Sequence, residues 1–348
     1  MAALEEAYVQ VERVQADGGD LRTLEALAAE DRWPHVAPVG WFALAVRRAI
    51  RGEPPGDALG ALADFAAASG EPGLVALATV IGSELGDPPC DEAGAEQREV
   101  DLARAVAILD AGGGTPMYRR TALLACAAAY YGRGLIELCR DIYEQAWVEL
   151  PHDPRAAGDP GATPDGRAIA FNRVEVAVVL VCELLEAGER DEARAVALDG
   201  LLRAGEMPPG LPLAWERHVE AMCRLLVAVA GLPAPTAPGD VGLGPYGACQ
   251  ELAPAVMALD AGDVGGTAEI AARVLSTIEA DGALPGTELL ALRLAAAATS
   301  GHPETARYVR EAVQNRRARR GEVTRAARAR VAAARLAAEN ADLERRVY

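Results

Sequence analysis

Apolar residues recur at spacings of three and four along most of the chain, which is the periodicity of amphipathic helices. Thr115-Pro116 and His302-Pro303 place Pro at a first helical position, where its missing N–H group costs nothing. We therefore predict an all-α fold. The predicted helices are 2–16, 21–31, 39–51, 56–69, 72–85, 95–110, 116–131, 135–150, 167–187, 190–204, 212–230, 247–261, 265–281, 287–300 and 303–347.

One apolar run, Val176 to Val181, has the length and composition of a buried strand. We favour a helix, because the apolar run continues through Leu185 and is flanked by acidic residues on both sides. The whole chain is 51% hydrophobic but only 4% aromatic, and Ala and Leu supply most of its apolar content. Such a composition suits helix–helix interfaces better than a sheet.

The last helix carries a heptad pattern. Its apolar positions alternate at spacings of three and four, with an Asn at one a position, which favours a two-stranded pairing. We predict that the chain forms a homodimer through this seam. The alternative is an ordinary terminal helix lying on the body of the protein, because the pattern is short and rich in Ala. The seam runs through Ala326, Ala329, Ala333, Leu336, Asn340, Leu343 and Val347, of which the last five are the predicted dimerisation residues.

Two long loops interrupt the helical pattern, Pro151 to Gly166 and Leu232 to Gly247. Loops of this length are uncommon within compact domains. We therefore predict three segments. These are an N-terminal helical subdomain (1–150), a set of helical hairpins (167–315) and a coiled-coil linker helix (316–348).

A local signature recurs within the helical hairpins. A small apolar helix ends at Gly and an Ala-bearing helix follows, as in 129–146, 184–202, 258–275 and 296–313. Here the chain resembles degenerate tetratricopeptide repeats over roughly 116–315. The resemblance implies stacked antiparallel hairpins in an α-solenoid, in which a Gly closes the first helix of a hairpin. Gly132, Gly188, Gly262 and Gly301 follow predicted helices, so we expect each to take the left-handed conformation of a helix end. The glycines at 132, 188, 262 and 301 depart from the steady family period of about 34 residues.

Stacked hairpins of this kind create a concave face that binds partners. We predict that Tyr and Arg residues on the first helix of each hairpin line it, although the Tyr and Trp side chains could instead pack between hairpins. Arg119, Asn172 and Arg173 are favoured because each lies near the start of a predicted helix. The predicted partner-binding residues are Tyr118, Arg119, Tyr131, Asn172, Arg173 and Arg217, with Tyr130 and Trp215 as further candidates.

The net charge of −17 is unevenly distributed, because residues 315–348 hold ten Arg and only four acidic residues. An acidic body disfavours a nucleic-acid partner, and we interpret the basic end as a solvated helix face. The sequence contains no apolar run long enough to span a bilayer and no secretory signal, so a membrane partner is not expected. With six widely scattered Cys, these features predict a cytoplasmic protein.

No motif predicts chemistry within this chain. The glycine run Gly112 to Gly114 lacks the preceding strand and the Lys of a phosphate loop. The four His and six Cys show no metal-ligand spacing, so neither a metal nor a cofactor is expected. An all-α enzyme is therefore the least favoured hypothesis.

The sequence LAAENADLERRVY (336–348) resembles the linker helix that enters the catalytic domain of GGDEF-type diguanylate cyclases. In that family the helix leads into a DxLTxLxNR segment, and neither that segment nor the GGDEF signature occurs in these 348 residues. The resemblance implies a regulatory module for an output domain in cyclic di-GMP signalling. Two alternatives are a free-standing scaffold for a protein partner and the repeat region of a transcriptional regulator.

Overall fold

The computed structural model describes residues 21–86, 91–150, 164–209, 211, 213–233, 243–282, 284–298 and 303–347, with residues 3, 6–8, 10 and 11 near the start. All regular secondary structure in these ranges is helical, which confirms the all-α class. A short 3-10 helix spans Gly244–Tyr246. The α-helices are α1 (Leu21–Ala28), α2 (Ala37–Ile50), α3 (Asp57–Ser69), α4 (Pro72–Leu85), α5 (Glu92–Asp110), α6 (Pro116–Gly132), α7 (Ile136–Glu149), α8 (Pro164–Ala187), α9 (Arg190–Gly205), α10 (Leu213–Ala230), α11 (Gly247–Asp260), α12 (Val264–Asp281), α13 (Thr287–Ala298) and α14 (Pro303–Val347).

The described helices correspond closely to the predicted ones. The predicted Pro starts are correct, since α6 begins at Pro116 and α14 at Pro303. The run Val176–Val181 is helical, and each of its side chains is buried within α8. A helix that is apolar on all sides is a core helix, which explains the strand-like composition of this run. Residues 3, 6–8, 10 and 11 of the predicted helix 2–16 are helical, and the rest of that helix and most of both predicted long loops lie outside the described residues.

The chain forms two compact units. The first comprises Met1–Arg133, Val148–Gly158 and Thr324–Tyr348, and the second comprises Gly134–Trp147 and Asp159–Val323. This division differs from the predicted three segments, because residues 324–348 belong to the first unit rather than forming a segment of their own.

In the first unit α4 is the central helix and contacts α2, α3, α5 and α6. Its start is fixed by Glu71, whose Oε2 accepts a hydrogen bond from the N–H of Leu74 at 2.5 Å. The other oxygen of Glu71 accepts from the N–H of Thr115, just before α6, also at 2.5 Å. One carboxylate therefore caps α4 and ties it to the start of α6.

Close packing of α4 against α6 depends on Gly73. A Cβ at this position would lie 2.6 Å from the backbone N of Arg119. We expect Gly73→Ala to lower the free energy of unfolding by about 2 kcal/mol, because backbone atoms cannot move aside as a flexible side chain can. The measurement is urea denaturation followed by circular dichroism.

Gly82 provides the matched control in the same helix. Nothing lies within 4 Å of a Cβ added there. Gly82→Ala is therefore expected to raise the free energy of unfolding by about 0.5–1 kcal/mol through helix propensity alone. If both substitutions shift the urea midpoint in the same direction, the close approach of α4 and α6 does not determine the effect of a Cβ at position 73 on stability.

The second unit is built around α8, which contacts α9, α10 and α13. Consecutive helices from α9 to α13 also contact one another in order. Contacts between neighbours are typical of stacked hairpins, whereas a linear stack does not bring α13 back to α8. The second unit is thus a set of neighbouring helices with α8 as a shared core helix.

The predicted helix-ending glycines are correct at two positions. Gly188 (φ 84°) and Gly262 (φ 77°) have the positive φ expected of a left-handed helix end. The prediction was wrong for Gly132, which is the last residue of α6, and Gly134 (φ 67°) takes the left-handed conformation instead. Gly301 lies outside the described residues.

Candidate functional site

The end of α14 presents an exposed apolar strip. Leu336 is 60% exposed and Leu343 is 58% exposed, and Ala333 and Asn340 are exposed as well. These four residues follow the predicted heptad spacing, so they lie along one side of the helix. The side chain of Val347, the fifth predicted dimerisation residue, lies outside the described part of the structure. We call Ala333, Leu336, Asn340 and Leu343 the exposed seam.

Another face of the same helix is turned inward. Ala327 is 3% exposed and Val331 is 7% exposed. One turn further on, the Nε of Arg335 donates to an oxygen of Asp110 in the first unit at 2.8 Å, and its Nη2 donates to the same oxygen. The alternative interpretation, a terminal helix lying on the body, thus describes this inward face, and the exposed seam lies on a different face of the helix. The inward face holds α14 in place and leaves the seam accessible.

The predicted partner-binding residues of the first unit are mostly engaged internally. Tyr118 is buried, and its hydroxyl donates to the backbone oxygen of His35. Burial raises the pKa of Tyr118 above its ordinary value, so the phenol stays neutral. Tyr130 is buried as well, whereas Tyr131 is half-buried. The prediction that Tyr118 and Tyr130 line a free surface is therefore corrected, and both side chains pack in the core.

Arg119 forms a bidentate ion pair with Glu149. Its Nε and Nη2 donate to the two carboxylate oxygens of Glu149 at 2.8 and 2.7 Å. A planar guanidinium matched to a carboxylate in this way is a strong charge-assisted contact. Arg119 therefore ties α6 to the end of α7 rather than standing free near a helix start.

Arg173 in the second unit is more deeply engaged. Its Nε and Nη2 donate to the two oxygens of Glu144, both at 2.8 Å, and its Nη1 donates to Glu206 at 2.8 Å. The guanidinium also lies 4.4 Å from the ring centre of Trp147. Arg173 itself is only 3% exposed. The prediction that it lines a partner-binding face is corrected, because every side of the group already has a neighbour within this unit.

The charge on Arg173 is stabilised by these neighbours. Burial alone would lower its pKa, but the hydrogen bonds and charges of Glu144 and Glu206 outweigh burial and raise it. Arg203 contacts the same two carboxylates from a more exposed position, at 3.4 and 3.6 Å. The cluster joins α7, α8 and α9 through charged groups.

The remaining predicted partner-binding residues are more accessible, with Asn172 half-buried and Arg217 exposed.

An aromatic cluster near these residues was not predicted as a group. Phe171 lies 5.0 Å from Trp215 between ring centres, and His218 stacks on Tyr246 at 4.2 Å. The hydroxyl of Tyr246 donates to Glu175 at 2.6 Å. Trp215 and His218 are three residues apart on α10 and share a face, which is the sequence signal for half of this cluster.

Burial affects the titration of this cluster. Burial lowers the pKa of His218, although the Glu175 charge acts in the opposite direction. Burial also raises the pKa of Tyr246, and Glu175 adds to that effect. Both rings are therefore neutral near pH 7, and the cluster packs as uncharged aromatic groups around one carboxylate.

Among the described residues, no group of three or more His, Cys, Asp or Glu side chains could hold a metal ion. None of the helices in the same part of the chain is both long and apolar enough to cross a membrane. Burial raises the pKa of Cys223 to about 11 and that of Cys249 to about 12, which keeps these thiols protonated and unreactive.

No family model, no curated protein and no solved structure matches this chain.

Proposed function

We propose that this chain is a regulatory helical module that forms a homodimer through the exposed seam and controls an output domain attached to its last helix. The output domain favoured by the resemblance of residues 336–348 is a GGDEF-type diguanylate cyclase. In this proposal the helices of the second unit form stacked hairpins of the tetratricopeptide kind, and the end of α14 pairs with its copy as a coiled coil.

The single observation that carries the proposal is the exposure of the seam. A monomeric protein does not gain from placing Leu336 and Leu343 in water, at 60% and 58% exposure, while Ala327 and Val331 are buried on the same helix. Asn340 lies between the two Leu residues on the seam, where a polar residue selects a two-stranded pairing at some cost in stability. A second copy of the same helix covers such a strip symmetrically, because a two-fold interface buries the same surface patch on both copies.

Control of an output domain requires α14 to be a rigid connection. The helix runs without interruption from Pro303 to Val347, including Gly321, where a break was a possibility because Gly weakens helices. Beyond Arg335, every side chain of the helix that the structure describes, at 336–341, 343 and 344, is exposed. A paired and continuous helix sets both the distance and the rotation between two attached domains.

The test uses a fusion of the full chain to a diguanylate cyclase catalytic domain directly after Tyr348. Insertion of four helix-forming residues at the junction rotates the output domain by roughly 40° relative to the seam. Insertion of a whole heptad nearly restores the rotation and serves as the matched control. We expect cyclic di-GMP synthesis to change strongly with the four-residue insertion and to stay near the parent level with the heptad.

Two results would count against the proposal. Equal synthesis by both insertion variants would show that α14 is a passive tether. Synthesis by the fusion no greater than that of the isolated catalytic domain, together with a monomeric fusion in light scattering, would show that the chain does not bring two output domains together.

A further inference from the structure

The second unit contains a pocket with apolar walls and three charged residues in its lining. It has a volume of about 220 Å³ and lies between the end of α8 and helices α9, α10, α11 and α13. Val229, Val256, Leu290 and Leu294 form much of its wall. Arg190, Asp260 and Arg293 supply its charged groups. An apolar cavity with a few convergent polar groups is the usual form of a small-molecule site.

Arg293 is the pocket residue whose charge indicates the class of ligand. Its Nη1 donates to the backbone oxygen of Leu185 at 2.5 Å. Within the described residues no carboxylate lies within ion-pair distance of its guanidinium. Burial lowers the pKa of Arg293 most, the Glu186 charge raises it, and the Arg190 charge lowers it. The Leu185 carbonyl takes only Nη1, so a ligand carboxylate in the pocket would give the other N–H groups of the guanidinium an anionic acceptor.

Arg190 differs from Arg293 in this respect. It is 56% exposed and its Nη1 donates to Asp260 at 2.9 Å, so its charge is already matched at the rim of the pocket. Gly188 makes room for Arg293, since a Cβ there would lie 3.0 Å from Nη2. The backbone at Gly188 has φ of 84°, which also favours glycine. The end of α8 thus lies directly beside the guanidinium of Arg293.

We propose that this pocket binds a small organic carboxylate with an apolar body, the carboxylate pairing with Arg293 and the body lying against the Val and Leu walls. At the roughly 30 Å³ that a water molecule occupies in the liquid, the pocket accommodates roughly seven non-hydrogen atoms. Hexanoate and benzoate are close to this size. The inference concerns the second unit alone, and it does not depend on pairing of α14.

The experiment is calorimetric titration of the full 348-residue chain with hexanoate and benzoate, beside the neutral and cationic analogues hexanol and hexylamine. A ligand of this size is expected to bind with a dissociation constant of about a millimolar. A charge-assisted hydrogen bond to Arg293 is expected to make hexanoate about 10- to 100-fold tighter than hexanol. Hexylamine is expected to bind no better than hexanol, because its charge repels the guanidinium.

Variants assign the binding to this pocket. Arg293→Met is expected to lose at least about tenfold in hexanoate affinity, whereas Arg273→Met, at an exposed position of α12, is expected to bind as the parent does. Because Arg293 also bonds Leu185, circular dichroism must show that Arg293→Met is folded. Leu259→Trp, which fills the pocket from a half-buried position and leaves Arg293 in place, is expected to block hexanoate whether or not Arg293→Met folds.

Three outcomes would overturn the proposal. The first is hexanol binding as tightly as hexanoate, which would remove the role of the charge. The second is no detectable heat with either carboxylate at concentrations well above a millimolar. The third is unchanged hexanoate affinity in Leu259→Trp, which would place any binding elsewhere on the chain.

Discussion

Arg173→Met is expected to lower the free energy of unfolding of the second unit by about 3–4 kcal/mol. The substitution keeps an unbranched apolar stem but removes three charge-assisted hydrogen bonds, two to Glu144 and one to Glu206. Removing one partner of a buried ion pair typically costs 3–5 kcal/mol. The expected value lies toward the lower end because Glu144 and Glu206 are 32% and 41% exposed and can regain water. Thermal denaturation followed by circular dichroism should show the midpoint falling by roughly 10 °C.

Arg203→Met is the matched control, because Arg203 contacts the same two carboxylates from a position that is 27% exposed. Its contacts of 3.4 and 3.6 Å are longer than those of Arg173, and exposed pairs contribute about 0–1 kcal/mol. The expected loss is therefore below about 1 kcal/mol. Similar losses in the two variants would mean that burial of Arg173 adds nothing to the strength of its pairs.

The helices of this chain could be predicted from sequence because their pattern is local. Each helix repeats apolar residues within a few turns, and Pro or Gly marks many of the ends. The error at Gly132 has a local cause as well. Gly134 follows two residues later and takes the left-handed position, so α6 continues through Gly132. When two glycines compete for a helix end, periodicity does not distinguish them.

The placement of Arg173 could not be predicted in this way. Near a helix start, an Arg with an Asn beside it has the sequence character of a surface residue. Its partners lie 29 and 33 residues away in sequence, on α7 and directly after the end of α9. Only tertiary packing brings these charges together and removes Arg173 from solvent. The same holds for Tyr118, whose hydroxyl reaches a backbone oxygen 83 residues away.

The pocket was missed although one of its residues had a sequence signal. Arg293 is the one charged residue between Leu289 and Ala298, in an otherwise apolar stretch. A lone charge on an apolar helix must reach solvent, a partner or a ligand. For α14, the sequence left open a helix lying on the body but did not identify the residues of the inward face. Ala327 and Val331 are apolar like the seam residues, and Asp110 lies 225 residues from Arg335.

Leu336→Glu combined with Leu343→Glu is expected to weaken self-association of the full chain by at least about 100-fold. Both positions lie on the exposed seam, so a two-stranded pairing would bring four added carboxylates into its apolar interface. An uncompensated charge in such an interface costs several kcal/mol, and a 100-fold change corresponds to about 2.7 kcal/mol. Light scattering over a range of concentrations should show the parent chain as a dimer and this variant as a monomer.

Ala338→Glu combined with Ala341→Glu is the charge-matched control. Both residues are exposed on the same helix but lie off the seam, so the dimer is expected to persist. Point changes are a cleaner test than deletion of residues 322–348, because deletion also removes the buried contacts of Ala327 and Val331 and disturbs the first unit. Asn340→Leu should strengthen pairing and relax the preference for two strands. A monomeric parent chain, or a dimer that survives Leu336→Glu with Leu343→Glu, would mean that the exposed seam does not mediate self-association.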